Sequence, residues 1–438
     1  MGIGNSIETL LQPIGGLFRG TKRLKTGPDE PKLKVRTSQL GDISQVWSQV
    51  GHVPMRHSSP ISVDGSGSAL TEEENLLPSL AEGLERYCTS VFSPEQFISA
   101  SAEELGNAAL DLASIPVCSS KELANPRCPL TAPDKKTPIR WIKAISLLDG
   151  RLIYVPAIMV YLHTGYATPG ERIWIPITTG CGAHRSYERA LLAGILEVIE
   201  RDALSLLWLQ ELPLPRIDID AFTPPLAAYW ETYQQCSADL EYIFFDATTD
   251  LGIPTVYSIQ VSWANNRLTS LVSCSTDLDP RRAVVKVMRD MASCRMPFRQ
   301  PRQIPANWDH FTDLFHGATY MARSEQAGAF DFLLNSPNRT SLSKMALLET
   351  ENDRVDLCDL LIRLRRRHCE VYAVDLSTDE AVRAGFRVVR VIIPALQPFS
   401  FYYRARYLGT PRLYEAPKLM GHPSRNEEHL NQWPQPFS

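Results

Sequence analysis

Two stretches of the chain carry one pattern: a Gly-x-Gly turn, a largely apolar helix and a Glu-x-x-Glu-Arg ending. The first, GSGSALTEEENLLPSLAEGLERYC, begins at Gly65, and the second, GCGAHRSYERALLAGILEVIERDA, begins at Gly180. Gly65, Gly67, Glu82, Glu85 and Arg86 each precede Gly180, Gly182, Glu197, Glu200 and Arg201 by 115 positions (180 − 65 = 115), so the two superpose without a gap. An internal repeat of this kind implies two related halves of one fold with a shared task.

Residues three apart lie on one face of a helix. Glu82 with Glu85, and Glu197 with Glu200, therefore each present two acids toward one point. Four acids facing a common space repel one another unless a cation sits between them. Hard oxygen ligands suit Mg²⁺, which completes its shell with water and nucleotide phosphates. Arg86 and Arg201 follow the second acid of each pair and can grip phosphate oxygens in a bidentate fork. One Glu-x-x-Glu-Arg taken alone is ordinary surface-helix composition. The second copy argues otherwise, because Ala190 to Leu196 passes without a charge and Val198 and Ile199 separate its acids, leaving little of that helix to face water.

The 438 residues, 44% of them hydrophobic, are enough for a substantial core. A formal charge of −4 leaves no electrostatic footprint for nucleic acid. The one basic run, Arg363 to His368, ends a helix-like pattern, where cations complement the macrodipole. Nine cysteines without a Cys-x-x-Cys pair fit a reducing compartment rather than a zinc site or a disulfide framework. No run of eighteen apolar residues suggests a membrane span, and Met1 to Ser6 matches an acylation pattern only by chance. A cytoplasmic location is expected.

Residues 1–40 read as an N-terminal arm or docking segment and 41–438 as the main body. Thr71 and Glu74 form a capping-box pattern at a helix start, with Pro78 expected to kink or restart the helix before Ser79. Strand patterns occupy 141–147, 152–161, 173–178, 242–245, 254–261, 267–274, 370–374 and 388–393. Helices are expected from Ser186, a candidate N-cap, over 281–295 and over 357–367. No regular βαβ beat emerges. The expected fold class is α/β in the α+β sense, with mainly antiparallel sheets.

The order Ser79-x-x-Glu82-x-x-Glu85-Arg86, then Glu197-x-x-Glu200-Arg201-Asp202-Ala203, resembles the YcaO superfamily of ATP-dependent peptide-backbone-modifying enzymes. Val155 to Leu162, Thr178 to His184 and Arg387 to Phe399 support the likeness, and the ending Pro434-Gln-Pro436-Phe-Ser438 is similar to the Pro-rich tail of azoline-forming members. The resemblance covers Gly65 to Ser438. It implies that Glu82, Glu85, Glu197 and Glu200 hold Mg²⁺ against ATP, with Ser79, Arg86 and Arg201 in the nucleotide site. The family's third element, Glu-x-x-Gln-x-Arg, aligns with Asp290-x-x-Ser293-x-Arg295. Asp290 remains an oxygen ligand and Arg295 is kept, whereas Ser293 lacks the two-ended hydrogen bonding of Gln.

The implied reaction cyclises Cys, Ser or Thr of a ribosomally made precursor peptide onto the preceding carbonyl, forming an azoline. The protein's part is positioning and charge neutralisation, and the Ser438 carboxylate, held by Pro434 and Pro436, is a candidate organiser of that step. Some 60 residues before the first motif are too few for a ubiquitin-activating-like leader-binding module, so a separate partner of that type is expected. The likeness leaves room for a flavin dehydrogenase in the same complex and for a homodimer. Alternatives are a thioamide- or amidine-forming enzyme and a non-catalytic scaffold.

Overall fold

The computed structural model describes residues 7–27, 30–40, 64–236 and 239–437. Ser438 and the Met1 to Ser6 pattern lie outside them. The strands in chain order are β1 (Gly20–Leu24), β2 (Lys34–Gln39), β3 (Gly65–Ala69), β4 (Ile98–Ala100), β5 (Ile139–Ser146), β6 (Leu152–Pro156), β7 (Cys181–His184), β8 (Arg216–Asp218), β9 (Leu240–Asp246), β10 (Thr255–Ser262), β11 (Ser270–Thr276), β12 (Arg339–Ser341), β13 (Tyr372–Asp375) and β14 (Arg387–Ile392). They form a three-stranded sheet β1-β2-β3, a five-stranded sheet β11-β10-β9-β8-β12, and a six-stranded sheet β4-β5-β13-β14-β7 with β6 paired to β5. Named strands pair antiparallel except β8 with β12. The expected α+β class with antiparallel sheets is what the chain adopts. Every residue of β10 and β11 is buried, as a sheet covered on both faces demands.

Four helices matter most: α1 (Leu76–Cys88), α2 (Tyr187–Gln210), α3 (Pro280–Phe298) and α4 (Asp353–Arg366). Ser186 caps α2 by accepting the Arg189 N–H. In α2 everything from Asp202 to Gln210 is buried, so its second half is core and only its first half can carry a site. The basic run ends α4, with Arg365 to His368 exposed as a solvated helix end.

The first Gly-x-Gly segment is strand rather than turn, whereas the second starts in a turn at Gly180 and runs into strand. Gly65 and Gly67 lie in β3, and Gly180 leads into β7, which contains Gly182. Their glycines let each strand lie directly on the following helix. A Cβ on Gly67 would sit 2.9 Å from the Asn75 oxygen and 2.8 Å from the Ser79 nitrogen, and one on Gly182 would sit 2.2 Å from the Ala190 oxygen and 3.1 Å from the Gly194 nitrogen. Asn75 with Ala190, and Ser79 with Gly194, are again 115 apart (190 − 75 = 115), so the repeat extends to backbone packing. Gly180 also has a φ of +89°, a region that favours glycine.

Other expectations need correcting. Thr71 and Glu74 exchange the two capping-box hydrogen bonds, at 3.2 Å each, but they close a turn, and α1 starts at Leu76 after Asn75. Pro78 falls in the first turn of α1, where a missing N–H costs no helical bond, so it neither kinks nor restarts the helix. Residues 173–178 form no strand, and the Ile175 N–H donates instead to the Tyr407 hydroxyl at 2.9 Å. The segment expected as an arm before the body is built into it: β2 pairs with β3, and Ile7, Leu10 and Phe18 join the core that contains Leu80 and Leu84 of α1.

Gly182→Ala should destabilise the chain by about 1–3 kcal/mol, the usual cost of overpacking. Chemical denaturation of the purified variant measures it, and a midpoint equal to wild type would contradict the close strand-on-helix contact.

Candidate functional site

Three helices deliver the site. α1 packs on β2, β3 and β7; α2 packs on β7, β14 and β11; α3 packs on β11, β10 and β3. The first acid of each pair is anchored by the glycine strand beside it: Glu82 accepts the Ser66 backbone N–H at 2.5 Å and its hydroxyl at 3.0 Å, and Glu197 accepts the Gly180 N–H at 3.0 Å. Each also pairs with the arginine four residues on, Arg86 at 2.6 Å and Arg201 at 3.3 Å. The second acids differ. Glu200 is 4% exposed and accepts from the Thr276 N–H and from Lys286 Nζ, both at 3.1 Å, with Arg201 at 3.5 Å. Glu85 makes no hydrogen bond or ion pair through its carboxylate among the described residues.

The acids lie near enough to act on one another. Burial first, then the Glu197 and Glu82 carboxylates, push the Glu85 carboxyl up to about 8. Burial also raises Asp290, with Glu200 and Glu82 adding to the effect and Arg289 and Lys286 opposing it. Lys286 is the counterpart: burial alone would lower it, but Glu200, Asp290 and Glu197 hold it firmly protonated. Lys286 escaped the sequence reading. Its one legible signal is that it stands four residues before Asp290, on the same face of α3.

Other expected site residues are placed as follows. Arg86, besides Glu82, donates to the Asp64 carbonyl at 2.5 Å. Ser79 is fully buried and donates to the Leu76 carbonyl at 2.8 Å, so its hydroxyl is spent inside α1. Arg295 is buried, paired with Glu30 at 3.1 Å and hydrogen-bonded to Gln260, which ties α3 to β10 and to the N-terminal segment. Ser293 donates to Ser68, whose hydroxyl donates to the Arg289 carbonyl, fastening α3 to β3. The tail does reach the site. Pro434 and Pro436 are buried, and the Phe437 ring lies 4.4 Å beneath the Arg201 guanidinium, with Phe399 at 5.8 Å, a cation–π arrangement.

These residues fit a metal-bound nucleotide. A buried carboxyl without an ion-pair partner among the described residues, close to two other acids, suits an incoming Mg²⁺. Among the described residues no three acid, histidine or cysteine side chains cage an ion by themselves. No described helix is long and apolar enough to cross a membrane.

Comparison with known proteins gives the class. Residues 66–397 match the family model described as YcaO cyclodehydratase, ATP- and Mg²⁺-binding, and the chain belongs to that family. An uncharacterized protein of Methanothermobacter thermautotrophicus is 26% identical over 352 residues, 78% of this chain and 85% of that one. A heterocyclase solved in complex with substrate and cofactor aligns at TM-score 0.78 and 20% identity, covering 99% of this chain; the chain spans 57% of that heterocyclase's length. The E. coli microcin synthetase McbBCD complex with pro-MccB17 bound aligns at TM-score 0.61 and 14% identity over 95% of this chain and 96% of that one. Both structural likenesses show the fold.

The raised Glu85 carboxyl predicts a pH dependence of ligand binding. Its value is raised, so it is protonated below about pH 8 and a cation must displace that proton; above, it is already ionised. Affinity for Mg²⁺ with a non-hydrolysable ATP analogue should therefore rise with pH up to about 8, by at most about tenfold per unit, and then level off. Calorimetry in two buffers of different ionisation enthalpy should find proton release near neutral pH that Glu85→Gln removes.

Proposed function

We propose that the chain converts Cys, Ser or Thr residues of a ribosomally made precursor peptide to azolines by activating the preceding backbone amide oxygen. The observation that carries this reading is the unsatisfied Glu85 carboxyl facing Glu82 and Glu197. In this reading Glu82, Glu85, Glu197 and Glu200 hold Mg²⁺, and Asp290 and Lys286 complete the cleft from α3. Arg86 and Arg201 exchange a carboxylate for phosphate oxygens, while Arg295 and Ser79 support the helices that carry the acids. Bound ATP supplies the phosphoryl group that turns the amide oxygen into a leaving group.

The side-chain thiol or hydroxyl adds to the carbonyl carbon and gives up its proton, and departure of the phosphorylated oxygen with loss of the amide proton leaves the C=N bond of the ring. The chain's part is to hold the adduct still and neutralise charge around the oxygen. Phe437 lies against Arg201, which supports assigning the organisation of that step to Pro434, Pro436 and Ser438. The microcin synthetase neighbour was solved as a complex with its pro-peptide. That supports a precursor peptide as substrate and partner proteins in general; a separate leader-binding, ubiquitin-activating-like partner and a cytoplasmic setting belong to the same proposal.

Incubating the chain and its partner with precursor and ATP should remove one water per ring from the peptide mass. Glu82→Gln and Glu200→Gln should each slow this by about a hundredfold or more, the scale of losing a charge-stabilising group. Mass spectrometry reads both results. Full modification by the doubly substituted chain would remove this cleft from the reaction.

A further inference from the structure

The two halves of the repeat are not equally compensated. Glu82 and Glu197, the first acids, each hold the arginine four residues on in their own helix. The second acids, Glu85 and Glu200, are repeat mates (200 − 85 = 115), yet their surroundings differ. Burial and two neighbouring carboxylates push the Glu85 carboxyl up, and no ion pair relieves it among the described residues. Glu200 instead accepts from Lys286 Nζ at 3.1 Å. Lys286 comes from α3, outside both copies of the repeat. The chain thus supplies one half with a tethered cation that the other half lacks.

Of the two partners, Lys286 is the one that can move. The Glu200 side chain is 4% exposed and pinned by the Thr276 N–H at 3.1 Å, whereas the Lys286 side chain is 37% exposed. An ammonium is a compact point charge on a flexible four-carbon stem, so it can leave while the acid stays. Asp290 stands one helical turn further along α3, on the same face, and attracts the ammonium alongside Glu200 and Glu197. Arg201, the other cation near Glu200 at 3.5 Å, is 17% exposed and lies against Phe437, which leaves it less room to turn away.

We propose that Lys286 is a built-in stand-in for a divalent cation: it holds Glu200 before nucleotide binds, keeps free metal off that half of the site, and releases Glu200 to metal only when nucleotide phosphate offers the ammonium another anion. The Glu85 half is then open to a divalent ion at all times, and the Glu200 half only in company with nucleotide. One residue thereby makes metal and nucleotide binding cooperative, each strengthening the other by the same factor. This rests on the reading of the four glutamates as a site for Mg²⁺ with ATP.

The test needs no turnover. Mn²⁺, which takes the same oxygen ligands as Mg²⁺, is counted on the full chain by equilibrium dialysis and electron paramagnetic resonance, with and without a non-hydrolysable ATP analogue. Wild type should hold one ion more per chain with the analogue than without it. Lys286→Met should hold that additional ion already without nucleotide and match wild type once the analogue is bound, which also shows that it is folded. Lys286→Arg, which keeps the charge, should count as wild type throughout. Equal counts for Lys286→Met and wild type without nucleotide would overturn the proposal, and a lowered melting temperature alongside them would show a pair that only fastens α3 to α2. A gain in Lys286→Arg as large as in Lys286→Met would overturn it too, since shape rather than charge would be at work. A chain that shows the expected counts yet removes no water from a precursor would leave the role of Lys286 standing and overturn the reaction assigned above.

Discussion

Everything at the site depends on how closely two strands lie on two helices. Glycine at 65, 67 and 182 removes the atoms that would hold β3 off α1 and β7 off α2, and glycine at 180 clears the Val391 backbone of β14 and the Val198 side chain of α2. With the backbones that near, strand N–H groups reach the first acid of each helix, at Ser66 for Glu82 and Gly180 for Glu197. The glycines thus fix where the carboxylates stand. A side chain at 65, 67 or 182 would press on the helix that carries the acids.

A concentration of acids has to be held together against its own repulsion. The chain does so unevenly. Arg86, Arg201 and Lys286 neutralise three of the four glutamates, and the fourth is left to take a proton or a cation. Further out, Asp202 and Asp250 both hold Arg412, at 2.7 and 2.8 Å, and the Gln397 N–H donates to Asp202. Through this buried group the residue that follows Arg201 is locked to the chain's last hundred residues.

Much of this was legible in the sequence because it is local. Acids three apart in apolar helices must share a face, the Ser186 cap precedes its helix, and the strongly apolar runs at 254–261 and 388–393 are strands within a residue or two. What was misread turned on choices that one sequence does not separate. Gly-x-Gly serves a turn or a close backbone contact equally well, and only the partner across the gap decides. Residues 173–178 alternate like a strand, yet the backbone finds a tyrosine hydroxyl 232 positions away. Lys286 and Glu200 are 86 positions apart, and nothing local joins them. The N-terminal segment reads as an appendage because its partner strand lies beyond residue 60.

The ring of Phe437 beneath Arg201 couples two events that otherwise look unrelated. A guanidinium braced by an aromatic face has less freedom to reorient than one held by carboxylates alone. Any ligand that draws Arg201 toward itself changes the grip on Phe437, and any force on Phe437 changes how Arg201 is presented; by thermodynamic reciprocity the two influences are equal in free energy. The setting of Phe437 and the reach of the Arg201 guanidinium are therefore linked.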